Sequence, residues 1–170
     1  MIALFLGSQC LRGSAQKTSD AQVEAAYIYN FAKFIEWPAR KFSSANAPIR
    51  FCVLNDFAFQ PFLERTVNGK SISGHPLEVV VVRDASEGAQ CHVLFINSAQ
   101  ERQVRRAFEL LRSSSVLTVG ETDTFVEDGG VINFFLQNDQ VQFRINNRAA
   151  KEAGLYLSSR LLSVAKSVVD

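Results

Sequence analysis

The chain has 170 residues, 47% of them hydrophobic and 14 of them phenylalanine, which suffices for one sizeable core in one domain. Its 18 Lys and Arg against 17 Asp and Glu give a formal charge of +1, and residues 1–16 carry only Arg12, so the remainder is neutral. That balance gives no electrostatic basis for binding nucleic acid or an anionic membrane surface, and no later apolar run reaches the length of a membrane span.

Ile2 to Leu6, then Gly7, Ser8, Arg12 and Gly13-Ser14-Ala15, read as the end of a secretory signal cut after Ala15, with its basic start missing. Residues 1–18 are therefore expected to be a partial signal peptide and flexible N-terminus, and 19–170 the folded domain. Cys10 follows the bulky polar Gln9, a poor context for lipid attachment, and is expected to leave with the signal.

The spacing of Val23, Tyr27, Phe31 and Phe34 predicts a helix over 19–37, capped by Ser19 or Asp20 and ended by Pro38. A strand at 49–54, a helix around 57–67, a turn at Asn68-Gly69 and strands at 77–82 and 91–96 follow. An amphipathic helix at 99–111 turns Val104, Phe108 and Leu111 inward. A strand at 116–119, a hairpin of 131–136 with 141–145, a helix at 147–153 and a last helix at 158–169 complete the chain. The pattern predicts a single α/β domain: a mixed, mostly parallel sheet with helices on both faces and a C-terminal β-hairpin.

Cys52 and Cys91 lie in two of the strand candidates. Neighbouring strands bring α-carbons within about 5.5 Å, which a disulfide can span. Two buried free thiols in a cytosolic core are the other reading. The secretory character of the N-terminus favours the bridge, and with it an oxidising compartment.

Catalytic constellations are not found. His75 and His92 are the two histidines; alternation along a strand keeps Cys91 and His92 off one metal, and His75 has no second ligand nearby. Neither a nucleophile elbow nor a phosphate-binding glycine loop is present, since Gly129-Gly130 precede a strand. The acidic stretch Glu121, Asp123, Glu127, Asp128 lacks calcium-loop spacing and reads as a solvated turn. No enzyme, metal or cofactor is expected. Val119-Gly120-Glu121 ends a strand where open α/β sheets place ligands, so a ligand cleft near Gly120 and Asn133 is a candidate. Tyr27, Tyr29, Phe31, Phe34, Ile35 and Trp37 crowd one helix. Either that helix is wedged into the core, or its outer face, with Phe34, Ile35 and Trp37, is a partner or dimer interface.

The blocks Tyr27 to Pro38, Arg50 to Leu54, Cys91 to Ile96, Val116 to Gly120 and Gly129 to Phe134 resemble the YfiR-like family of bacterial periplasmic proteins. So do Val141-Gln142-Phe143, Ile145-Asn146, Ala149-Ala150, Gly154-Leu155 and Ser158 to Leu162, the likeness running from about residue 22 to 168. The resemblance implies a periplasmic regulator that restrains a membrane-bound diguanylate cyclase by contacting its periplasmic domain, and so controls cyclic di-GMP signalling and biofilm formation. An OmpA-like outer-membrane lipoprotein would capture the regulator and free the cyclase. Arg144 stands where the family usually has Glu, and Asn147 where it commonly has Leu, so contacts through those side chains do not carry over. A homodimer is expected. The rival reading is a periplasmic small-molecule-binding sensor module.

Overall fold

The computed structural model describes residues 10–97 and 101–170. Helix α1 (Cys10–Ala32) leads into strand β1 (Ile35–Glu36), a 3₁₀ turn (Ala39–Lys41), β2 (Ile49–Leu54), α2 (Gln60–Val67), β3 (Ser71–Ile72) and β4 (His75–Val82). A second 3₁₀ turn (Ala85–Gln90) precedes β5 (Val93–Ile96), α3 (Glu101–Leu111) and β6 (Leu117–Gly120). The hairpin of β7 (Ile132–Gln137) and β8 (Gln140–Asn146) is followed by α4 (Asn147–Glu152), β9 (Tyr156–Leu157), α5 (Ser159–Val164) and β10 (Ser167–Val169).

Eight strands form one sheet in the order β10-β8-β7-β6-β5-β2-β4-β3. β7, β6, β5, β2 and β4 run parallel; β8 is antiparallel to β7, and β3 to β4. The architecture is the mixed, mostly parallel sheet with helices on both faces that the pattern predicts. Strands buried on both faces read as unbroken apolar runs, and β2 shows why. Ile49, Phe51 and Val53 pack with Ala25, Ile28 and Phe31 of α1 and Leu63 and Val67 of α2. Cys52 and Leu54 point the other way, to Val104, Ala107 and Leu111 of α3. Asn138 and Asp139, both with positive φ, make the two-residue turn of the β7–β8 hairpin.

Cys52 in β2 and Cys91 are joined as a disulfide with α-carbons 5.9 Å apart. Cys91 ends the 85–90 turn rather than lying in β5, which starts two residues later.

Several element ends differ from the sequence pattern. α1 begins at Cys10, not residue 19, so residues 10–18 extend the helix, with 15–19 exposed; residues 1–9 lie outside the described residues. It ends at Ala32 rather than 37, because β-branched Ile35 and pre-proline Trp37 favour extended backbone. Tyr156–Leu157 offers Ile35–Glu36 an antiparallel partner. The helix expected over 99–111 is seen from Glu101, residues 98–100 lying outside the described residues. The last helix stops at Val164: Ala165 is extended, and residues 167–169 form β10 parallel to β8. Two adjacent valines at 168 and 169 suit a strand, and a helix-like spacing of apolar residues hid it.

Candidate functional site

The amino ends of β2 and β5 are packed with aromatic side chains. Phe42 lies between two imidazoles, 4.1 Å from the ring centre of His75 and 4.7 Å from that of His92. The Trp37 indole donates to the His92 carbonyl at 3.2 Å and meets the His92 ring edge-on at 5.7 Å. His92 Nδ1 accepts the Arg50 backbone N–H at 3.1 Å, which puts the proton of the neutral ring on Nε2. Burial, helped by the positive charges of Lys41 and Arg50, lowers the His92 pKa to about 4. The Lys41 ammonium donates to the carbonyls of Ala89 and Ser114 at 2.8 and 2.6 Å, and burial lowers its pKa to about 8. His75 Nδ1 lies 2.7 Å from the Ala47 carbonyl. Both histidines are thus engaged in packing and backbone bonds at this end.

The carboxyl ends are open. The chain goes from β2 to β4 on one side and then to β5 on the other, which makes β2/β5 the switch point where open α/β sheets hold ligands. A cavity of about 780 Å³ lies there. Its walls include Lys17, Asp20 and Glu24 of α1, Asp56 after β2, Asn97 after β5 and Glu121 and Asp123 after β6, together with Phe59, Phe62, Phe95, Phe134 and Phe135. Asp56 accepts the backbone N–H groups of Ala58 and Phe59 at 3.1 and 3.0 Å, and its other oxygen accepts the Asn97 amide at 2.6 Å. Glu24 is 8% exposed. Burial first, then the carboxylates of Glu121, Asp20 and Asp56 and a hydrogen bond with Glu121, raise its pKa to about 8. At neutral pH it therefore holds its proton.

Gly120 and Asn133, the candidate cleft, face each other across β6 and β7. Asn133 is fully buried, its amide donating to the carbonyls of Gly120, Thr122 and Phe134 at 3.2, 3.0 and 3.0 Å. A Cβ on Gly120 would lie 2.1 Å from the Phe125 ring, and one on Gly130 2.2 Å from it. Both glycines make room for Phe125, and the open volume starts one residue beyond them, at Glu121. Arg144 bridges β7 and the segment after β6: its guanidinium donates to Asn133 Oδ1 at 2.7 Å and the Asp123 carbonyl at 3.0 Å, and pairs with Glu127 at 3.5 Å. Asn147 bonds Asp170 at 2.7 Å. Of the candidate interface residues, Ile35 is core, while Phe34 and Trp37 are half-buried. The sequence pattern missed Asp20, Glu24 and Asp56. Its one available signal was a pair of acids four residues apart on the same side of α1 as Ala25 and Ile28.

The profile of YfiR/HmsC-like proteins matches residues 21–166. The chain belongs to that family. YfiR/HmsC-like proteins are periplasmic regulators of diguanylate cyclase signalling rather than enzymes, and no described helix of this one is long and apolar enough to cross a membrane. Among curated proteins no relative is found. Solved structures that share the fold include two distant ones. A conserved domain protein of Vibrio cholerae O1 biovar El Tor is 12% identical with a TM-score of 0.54 over 71% of this chain and 54% of its own. An ABC domain from Streptococcus pneumoniae, solved in complex with L-Trp, is 13% identical with a TM-score of 0.55 over 88% of this chain and 60% of its own. The chain thus spans little more than half the length of either.

Proposed function

We propose that this YfiR/HmsC-like protein restrains a membrane-bound diguanylate cyclase by binding its periplasmic domain, and thereby limits cyclic di-GMP and biofilm formation. The family match over 21–166 carries this reading. The regulator acts by differential affinity: the cyclase conformation it binds better becomes the more populated one, and capture by an OmpA-like outer-membrane lipoprotein reverses the shift. The surface features that support contact are apolar. Tyr156, 63% exposed, sits on the β1–β9 ribbon beside the half-buried Phe34 and Trp37; Val168 and Val169 lie on the free edge strand β10, where homodimers or partners can add a strand. Deleting the gene is expected to raise cellular cyclic di-GMP and its re-expression to lower it. An unchanged level in both strains, with no binding to the periplasmic domain of any co-encoded cyclase, would reject the reading.

A second reading, a small-molecule-binding sensor, is supported by the cavity at the carboxyl ends of β2, β5 and β6. The bound L-Trp of the S. pneumoniae domain belongs to that protein, and a fold shared at 13% identity does not transfer it.

A further inference from the structure

We infer that the cavity at the switch point binds a small organic amine, its ammonium among Glu24, Glu121 and Asp20 and its carbon body against Phe62 and Phe135. This deepens the sensor reading and is independent of the cyclase. The volume of about 780 Å³ falls in the range of small-molecule sites, as does the mixture of aromatic wall and a few converging polar groups. Charge selects the ligand class. Asp20, Glu24, Asp56, Glu121 and Asp123 line the cavity against one basic side chain, Lys17, among the described residues. A carboxylate or phosphate ligand would meet that field unfavourably, and an α-amino acid would find a single partner for its carboxylate. Nor do the acids suit a metal ion, since no three His, Cys, Asp or Glu groups among the described residues converge to hold one.

The aromatic part of the wall suits the carbon body of such a ligand, which gains by burying apolar area against it. Glu24 supplies the switch in charge. The charged groups that act on it are Glu121 from the segment after β6, Asp20 on its own helix and Asp56 from the end of β2, while Lys17 and Asp123 line the same cavity. Burial first, and then those three carboxylates, hold its proton in place. An arriving ammonium takes that place, and the Glu24 proton leaves to solvent, so affinity rises as pH increases toward 8.

Isothermal calorimetry on the purified protein tests this with phenylethylamine and cadaverine, and with phenylacetate and L-Trp as controls, at about pH 6 and about pH 8.5. The expected result is saturable amine binding, tighter at the higher pH, with proton release seen in buffers of different ionisation enthalpy. Glu24→Gln should weaken it by about tenfold or more and abolish its pH dependence; Glu121→Gln provides the same comparison if the first variant folds poorly. Phe135→Ala should weaken phenylethylamine more than cadaverine. Amines that fail to bind at about 1 mM while phenylacetate or L-Trp binds would overturn the inference and leave the sensor reading standing. Binding of none of the four would remove both.

Discussion

Replacing Glu24 by Gln should stabilise the protein at neutral pH, and the burial of Glu24 beside Glu121 sets the sign of the effect. The folded chain holds the Glu24 proton up to about pH 8, whereas an ordinary glutamate releases it near 4.5. Between those values the unfolded state carries fewer protons than the folded state, so stability falls as pH rises through that window, by up to about 1.4 kcal/mol per pH unit. Below about pH 4.5 both states are protonated and the penalty is absent; at pH 7 it amounts to about 3 kcal/mol. Glutamine keeps a hydrogen bond to Glu121 and cannot ionise, so it should recover most of that energy. Urea unfolding of wild type and E24Q at about pH 5 and about pH 7 measures it, provided the m-values agree. Other groups cancel in the difference between the two proteins at each pH. A gap that stays constant across the two conditions would show that Glu24 is an ordinary solvated carboxylate, and one that grows in favour of wild type at the higher pH would show that the fold stabilises its charge; either refutes the reasoning.

The remaining expectations concern other parts of the fold. The Cys52–Cys91 bridge spans a sequence separation of 39; Cys52→Ala should cost about 4 kcal/mol by the loop-entropy model, and thiol counting on denatured wild type should find this pair unreactive. His92, lowered to about 4 from an ordinary 6.5, stabilises the fold fully above pH 6.5, and that stability is lost as pH falls through 4; an NMR titration giving a value above 6 would contradict its burial. Gly120→Ala should destabilise by about 1–3 kcal/mol through collision with Phe125, and an unchanged melting temperature would show that the ring has room. Tyr156→Ala should weaken binding to the cyclase domain without lowering the melting temperature, whereas Trp37→Ala, which loses the bond to His92, should lower it. Unchanged affinity in both variants would return this cluster to a purely structural role.

Much of the fold is legible in the sequence because β2, β5 and β6 are buried on both faces over most of their length and spell short, largely apolar runs, broken by Arg50 in β2 and Thr118 in β6, while α3 carries a sharp apolar stripe. The ends are less legible because they depend on distant partners. Nothing local marks Ile35–Glu36 as a strand until Tyr156–Leu157 lies beside it, and Ser167–Val169 becomes β10 only because β8 offers an open edge. The strand-end position of Val119-Gly120-Glu121 points to the right end of the sheet but to the wrong residues: the space at Gly120 is taken by the Phe125 ring from the following loop. The acidic cavity was invisible because its carboxyls come from α1 and from the segments after β2 and β6, and only the sheet order brings those three together.

The contrast between the closed and open ends of the sheet follows from lengths. α1 has 23 residues, about 34 Å of helix, against about 20 Å for the six residues of β2. A helix that long, packed through Ala25, Ile28, Phe31 and Ala32 on a sheet that short, must overhang it. The overhang lies at the N-terminal part of α1, where Lys17, Thr18, Asp20, Ala21 and Glu24 line the cavity. Small and charged residues on the sheet-facing side of a helix would be costly over a core, where Ile28 and Phe31 sit. Beyond the strand ends they meet open volume, so the change from apolar to acidic along one helix marks where the core stops and the site begins. At the other end Trp37, Phe42 and the two histidines fill the equivalent space, and the Trp37, Arg50 and Lys41 donors bond to protein atoms. The amino ends of β6 and β7 keep a smaller cavity of about 400 Å³ between α3 and α4, so the acidic cavity at the carboxyl ends is the larger of the two.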